Sequence, residues 1–132
     1  MEESELVYIE LADALELYAA IIGGTTGQAA DQLRNQAGLE SALGRPCNYA
    51  HYQEADLPLQ AAALAHGVAE SQAFIDGNKR LALVSMLTFL KVNGYEINAT
   101  DPELADWIIR LSAGTTPEEL ASLIRSRLKV VE

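Results

Sequence analysis

Two long apolar segments, separated by a short break, constrain the fold of this chain more than any other feature. From Leu59 to Ser71, apolar residues, mostly alanine and leucine, occupy most faces of a predicted helix. A second apolar run with helical spacing extends from Asn78 to Val92 and ends at Asn93-Gly94. Helices that are apolar on most faces are normally buried. The sequence therefore predicts two central buried helices joined by a loop at residues 73–77.

Start and stop signals predict further helices around this pair. A helix from Ile9 to Ile22 is followed by two glycines, and a short helix from Gly38 is closed by Gly44 and stopped by Pro46. Two more helices are predicted where a capping residue precedes proline and acidic residues, at Asp101-Pro-Glu and at Thr116-Pro-Glu-Glu. These signals extend the helical prediction over most of the chain.

Little of the sequence favours other structure. The segment from Cys47 to Pro58 is polar and irregular, which predicts a loop or a small β-hairpin, and only residues 95–98 suggest a strand. We therefore predict an all-α fold, a helical bundle whose two central helices are joined by a loop. The length of 132 residues suits a single domain over residues 1–132, because domains cluster near about 100–150 residues.

The charge and the cysteine content limit the partners and the compartment. The net charge of −10 opposes binding to a polyanionic duplex, so nucleic acid is not an expected partner. A single cysteine, Cys47, fits a reducing compartment. The acidic start of the chain at Glu2, Glu3 and Glu5 is unlike a signal peptide, and no apolar run approaches the about 18 residues of a membrane span. We expect a cytoplasmic protein without a membrane partner.

The break between the central helices has the chemistry of an anion site. The amides of Gly77, Asn78, Lys79 and Arg80 are expected to be unpaired donors in the first turn of the second helix, at the positive end of its dipole. The side chains of Lys79 and Arg80 add positive charge suited to phosphate oxygens. Asp76 precedes this turn and is a candidate either to cap the helix or to hold Mg²⁺, which binds one or two carboxylates together with phosphate oxygens.

The same residues also have a purely structural interpretation. Asp-Gly-Asn is a common turn sequence, and Lys79 and Arg80 can simply be solvated. Basic residues in a first turn oppose the helix dipole, however, which favours a functional reason for them. The residues alone leave both interpretations open.

The segment Gln72-Ala-Phe-Ile-Asp-Gly-Asn-Lys-Arg80 resembles the signature of the Doc toxins in the Fic/Doc family, His-x-Phe-x-Asp/Asn-Gly/Ala-Asn-Lys-Arg. Every fixed position of that signature except the first is matched. The broader family usually has glycine where this chain has Lys79. The segments at residues 38–46 and 81–94 are also similar to the family, so the resemblance extends over nearly the whole chain.

This resemblance implies an all-helical Fic fold that binds ATP or another nucleoside triphosphate with Mg²⁺. Asp76 would bind the metal, and Gly77, Asn78, Lys79 and Arg80 would form the phosphate cradle. Lys79, as in Doc, implies transfer of a phosphoryl group to a hydroxyl of a translation factor such as elongation factor Tu. The resemblance further implies an antitoxin with a flexible inhibitory segment, and a target-aligning flap from about Cys47 to Leu57.

Gln72 occupies the position of the family's catalytic histidine. That histidine takes the proton from the attacking hydroxyl, because an imidazole has an unperturbed pKa of about 6.5. A glutamine amide forms hydrogen bonds but does not take up a proton in this range. General-base catalysis typically contributes about 10²–10⁴-fold, so we expect this chain to bind nucleotide and to be nearly inactive. We give His51 and His66 little weight as substitute bases.

Gln72 leaves several alternatives open. It is either a deliberate substitution in an active toxin or a natural loss of the base, and the intact remainder of the signature favours the former. For the function, the alternatives to phosphoryl transfer are AMP transfer to a protein hydroxyl, as in ordinary Fic enzymes, and a catalytically dead module that binds a nucleotide or a partner.

Overall fold

The fold is all-α, as the sequence predicts. A computed structural model describes residues 5–132 of the chain, so the predicted role of Glu2 and Glu3 lies outside the described residues. Within residues 5–132 there are seven helices and one two-stranded sheet. The elements are α1 (Leu11–Ile22), α2 (Thr26–Gln32), α3 (Gln36–Gln53), α4 (Leu57–Glu70), α5 (Asn78–Val92), β1 (Tyr95–Ile97), α6 (Asp101–Ser112), α7 (Pro117–Arg127) and β2 (Leu128–Val130).

The two apolar segments form α4 and α5, which pack against each other in the centre. Helix α4 also contacts α3, α6 and α7, and all five residues from Ala61 to Ala65 are buried. Small side chains on several faces let neighbouring helices approach α4 closely. A Cβ atom at Gly67, for example, would lie only 3.1 Å from the Cβ of Ala42 on α3. The buried central pair fixes the position of the loop that joins the two helices.

Helix α3 corrects two predictions. It runs from Gln36 to Gln53, through Gly44 and Pro46, whereas the sequence predicted that it would stop there. Proline removes one backbone hydrogen bond from a helix, but Pro46 is buried in the same face as Leu39, Ala42 and Leu43. Packing of that face on α4 stabilises the helix beyond the proline, since tertiary contacts often override local propensity.

The predicted loop or β-hairpin flap is therefore wrong over residues 47–53, which are helical. Glu54 ends α3 in the left-handed conformation, with φ 52°. Asp56 then caps α4 by accepting a hydrogen bond from the Leu59 amide at 3.1 Å. The connection between α3 and α4 is reduced to three residues, 54–56.

The remaining elements confirm most of the start and stop signals. Gly23 ends α1 in the left-handed conformation, and Thr116 forms the predicted capping box at α7. At α6 the cap is Thr100 rather than Asp101, which is the first helical residue. The strand suggested at residues 95–98 is β1, which pairs antiparallel with β2. None of the described helices is long and apolar enough to cross a membrane.

Candidate active site

The loop between α4 and α5 is fixed from within by Asn78. Its side chain accepts a hydrogen bond from the Phe74 amide at 3.1 Å and donates one to the Phe74 carbonyl at 2.7 Å. The Phe74 ring is only 2% exposed and lies in the core. The loop is thus closed by the first residue of α5, a contact we call the Asn78 clamp, and anchored by its own aromatic residue, Phe74.

Tyr18 of α1 holds the same loop from the other side. Its ring stacks on the Phe74 ring with centroids 3.6 Å apart and an interplanar angle of 8°. Its hydroxyl donates a hydrogen bond to the Asp76 carbonyl at 2.9 Å. Burial, and secondarily the Asp76 carboxylate, raise the pKa of Tyr18 above its ordinary value of 10.0. The phenol therefore remains protonated, as a donor, at neutral pH.

The predicted anion cradle lies at the start of α5. Gly77 is the N-cap, with φ 88° and ψ 6°, and its carbonyl accepts the first helical hydrogen bond, from Leu81 at 2.8 Å. Within residues 5–132 the amides of Gly77, Asn78, Lys79 and Arg80 have no hydrogen-bond acceptor. Unpaired amides at a helix N-terminus, together with the helix dipole, attract anions.

Lys79 and Arg80 place two cationic side chains at this end of α5. Both side chains are exposed, and neither forms an ion pair with another described residue. By contrast, Arg110, Arg125, Arg127 and Lys129 are each paired with a carboxylate. The two unpaired cations remain available to an external anion.

One cavity brings the predicted site residues together. It has a volume of about 410 Å³ and a largely polar surface. Gln72, Asp76 and the whole cradle contribute to it, so residues from both sides of the loop face one space. Its lining consists of Ala69, Gln72, Ile75, Asp76, Gly77, Asn78, Lys79, Arg80 and Ser112.

Asp76 does not have the capping role that the sequence allowed, and its carboxylate is free within the described chain. The N-cap of α5 is Gly77, and the helix has no side-chain cap. The Asp76 side chain is exposed, lines the cavity and makes no hydrogen bond or ion pair with the described residues. No cluster of three or more potential metal ligands occurs in residues 5–132. A single free carboxylate beside the predicted anion cradle nevertheless fits Mg²⁺, which binds one or two carboxylates together with phosphate oxygens and water.

Gln72 adopts an uncommon backbone conformation beside the cradle. Its φ is 55°, one of two positive values at non-glycine residues within the described chain. Hydrogen bonds on both sides hold it there. Asn35 donates from Nδ2 to the Ser71 carbonyl at 2.9 Å, and the Ala73 carbonyl accepts from the Arg34 amide at 2.7 Å. A strained residue held by its surroundings is typical of functional sites.

The two histidines lie outside the cavity lining. His66 accepts a hydrogen bond at Nδ1 from Arg45, at 3.1 Å, and its Nε2 lies 3.3 Å from a Glu70 carboxylate oxygen. His51 is exposed and makes an edge contact with Tyr52. The arrangement gives neither histidine a place beside the cradle.

Sequence reasoning missed Tyr18 and Asn35. Tyr18 lies 58 residues before Asp76 and has the spacing of an ordinary core residue in α1. Asn35 lies 36 residues before Ser71, and only its place before α3 marks it as a capping residue, which accepts from Gly38 at 3.0 Å. Pair contacts over such separations have no local sequence signal.

The helical bundle has a cavity lined by amides that are unpaired within residues 5–132 and by two cationic side chains, at the start of its second central helix. Comparison with known families identifies this class of protein: residues 8–90 match the Fic/DOC family. The chain belongs to the Fic/Doc family. It is similar to Toxin Doc of Mycolicibacterium smegmatis (strain ATCC 700084 / mc(2)155), with 32% identity over 94 residues, which cover 70% of this chain and 68% of that protein.

Proposed function

We propose that this chain is a single-domain toxin of the Doc type that binds a nucleoside triphosphate with Mg²⁺ at the α5 cradle. The carrying observation is that Asp76 and the residues from Gly77 to Arg80 line one cavity with Gln72. Membership of the Fic/Doc family and the similarity to Toxin Doc support the same assignment.

The residues of the cavity suggest separate roles in binding. The amides of Gly77 to Arg80 would donate to phosphate oxygens, and the Lys79 and Arg80 side chains would neutralise their charge. Asp76 would hold Mg²⁺, which supplies charge stabilisation to the phosphates when bound. Because the donors are fixed by α5 and by the Asn78 clamp, little reorganisation is needed to bind the anion.

The reaction we propose is transfer of the γ-phosphoryl group to a hydroxyl of a translation factor, with elongation factor Tu as the first candidate. The hydroxyl oxygen forms a bond to the γ-phosphorus, the bond to the β,γ-bridging oxygen breaks, and ADP leaves. The hydroxyl proton must go to a base at position 72. Gln72 does not take it, since an amide is not basic in this range, so this chain should be nearly inactive while retaining its ligand.

The test is to install the base. Q72H is incubated with ATP labelled at the γ or the α position and with purified elongation factor Tu, beside the parent chain and Q72A. We expect transfer of γ-label to rise by about 10²–10⁴-fold in Q72H alone. Transfer of α-label instead supports AMP transfer. Binding of ATP without transfer of either label supports a catalytically dead binding module. This is the second candidate function, and the absence of a base at Gln72 favours it.

Binding is tested separately, with a matched pair of lysines on α5. Lys79 is in the first turn of the helix and Lys91 in the last, and both are exposed without an ion pair in the described chain. K79A should weaken ATP binding in calorimetry, and K91A should not. Equal affinities for the two variants would argue against a phosphate site at the start of α5.

The partner we propose is an antitoxin whose flexible segment covers the cavity. Co-expression with the product of an adjacent small reading frame tests this directly. A complex that weakens binding of ATP to the parent chain supports an inhibitory segment over the cradle. A complex in which ATP affinity is unchanged would place the antitoxin elsewhere.

A further inference from the structure

The contacts of Tyr18 point to a role beyond packing. It is 2% exposed and contacts the loop at successive points, with its ring on Phe74 and its hydroxyl on the Asp76 carbonyl. A Cβ atom at Gly77 would lie 3.1 Å from Tyr18 Cε1. The ring thus packs directly against the backbone at the start of the cradle.

The hydrogen bond from the Tyr18 hydroxyl to the Asp76 carbonyl determines the direction of the Gly77 N–H, which is one of the donors of the cradle. The peptide group between Asp76 and Gly77 is planar and trans, so its carbonyl and its N–H point in opposite directions. Tyr18 lies in the core, and its hydroxyl fixes the carbonyl towards the interior. The Gly77 N–H is therefore directed away from Tyr18 and towards the cavity, which Gly77 lines.

This peptide has an alternative orientation that the hydroxyl must oppose. Rotation of the peptide plane changes ψ of Asp76 and φ of Gly77. Because glycine accepts positive and negative φ about equally, the backbone itself does not prevent rotation from the observed φ of 88°. The Gln32 side-chain oxygen is 3.4 Å from the same hydroxyl. The Asp76 carbonyl is closer, at 2.9 Å, and is the better acceptor for the single phenol proton.

We propose that Tyr18 is a positioning residue, whose hydroxyl locks the Asp76–Gly77 peptide so that the Gly77 N–H faces the anion. The inference rests on the proposed phosphate site for its functional consequence. The lock itself belongs to the ligand-free protein and can be measured there.

The chain offers a matched control in Tyr8. Its hydroxyl also donates to an interior acceptor, Gln60 Oε1, at 2.9 Å. Its ring also stacks on a phenylalanine, Phe89, with centroids 5.7 Å apart. Y18F and Y8F each remove one hydroxyl and keep the ring, so both should have similar modest losses of stability. Only Y18F changes a group bonded to the loop.

The experiment measures the Gly77 amide resonance by NMR and the affinity for ATP with Mg²⁺ by calorimetry, in the parent chain and both variants. We expect Y18F to broaden or split the Gly77 resonance without ligand and to weaken ATP binding by about three- to tenfold. Y8F should match the parent in both. If the Gly77 resonance of Y18F is the same as in Y8F, the proposal is overturned.

The two readouts separate this inference from the proposed function. If the parent chain fails to bind ATP while the Gly77 resonance is single in the parent and broadened in Y18F, the nucleotide site is rejected and the lock is upheld. If ATP binds equally to the parent, Y18F and Y8F, the site stands and Tyr18 has no positioning role.

Discussion

Asn78 closes the loop on Phe74, because one side chain satisfies both the amide and the carbonyl of that residue, at 3.1 and 2.7 Å. Asn78 is also the first residue of α5, and its own amide faces no acceptor within residues 5–132. The side chain therefore maintains the loop while the backbone contributes to the cradle. A mutation at Asn78 should therefore affect both the stability of the loop and the binding of an anion.

N78A should lower both stability and ATP affinity. Leaving the two polar groups of Phe74 without partners is expected to cost about 1–3 kcal/mol, and the loosened loop no longer presents the amides in fixed directions. Urea denaturation and calorimetry measure the two effects. The control is N48A, at an exposed position within α3, which should stay within about 0.5 kcal/mol of the parent. A loss no larger in N78A than in N48A would contradict the clamp.

Gly77 and Gly94 form a pair that separates backbone strain from steric contact. Both have positive φ, of 88° and 95°. An added Cβ meets Tyr18 at 3.1 Å at position 77 and nothing within 4 Å at position 94. Backbone strain should lower the free energy of unfolding by about 1 kcal/mol in both G77A and G94A. In G77A the loss should be larger, because the Tyr18 ring must also move. Thermal denaturation compares them, and equal losses would show that the Tyr18 contact carries no cost.

The sequence predicted the position of α5 and of the loop before it well, because the signals for them are local. The bounds of α5, Asn78–Val92, follow from the apolar run and the turn residues that flank it, and the structure has the same bounds. The conformation of Gln72 is a different matter. Hydrogen bonds to Ser71 and Ala73 flank it, and they come from Asn35 and Arg34 before α3, 36 residues away in the sequence in the case of Asn35. No pattern near Gln72 signals these contacts.

In helix α3 a local signal was present, but it was misleading. Pro46 ordinarily stops a helix, but the apolar face to which it belongs packs on α4, close to Gly67. Burial of that face favours a continuous helix over a broken one. The loop or β-hairpin predicted for residues 47–53 was wrong for the same reason, since these residues continue the helix.

Glu103 should contribute to the stability of the fold at neutral pH and lose this contribution in acid. Its carboxylate accepts from Arg127 Nη2 at 2.9 Å and from the Thr100 amide at 2.9 Å. The Arg127 hydrogen bond, followed by that of Thr100, lowers the pKa of Glu103 from 4.5 to about 2. Folding therefore favours the ionised form. Its contribution is fully present above the ordinary pKa of 4.5 and is lost as the pH falls towards about 2.

E103Q tests this dependence by removing the titrating group. The stability difference between the parent and E103Q, measured by urea denaturation, should be largest at neutral pH and should shrink as the pH falls through that window. R127M removes the largest cause of the shift and should also flatten the parent's acid dependence. A difference between parent and E103Q that is independent of pH would show that the ion pair contributes nothing through titration.

Gln72 itself should be a site at which glycine stabilises the protein. A left-handed conformation costs a residue with a side chain about 1–2 kcal/mol. Glycine avoids this cost, but it loses about 0.4–1 kcal/mol more conformational entropy on folding. Q72G should therefore gain up to about 1 kcal/mol in urea denaturation. E54G, at the other positive φ of 52°, should gain similarly. N48G, inside α3, should lose roughly 0.3 kcal/mol. If Q72G instead loses as much stability as N48G, residue 72 has an ordinary helical or extended backbone in solution. The loop, and with it the cavity lining, would then differ from the arrangement described above.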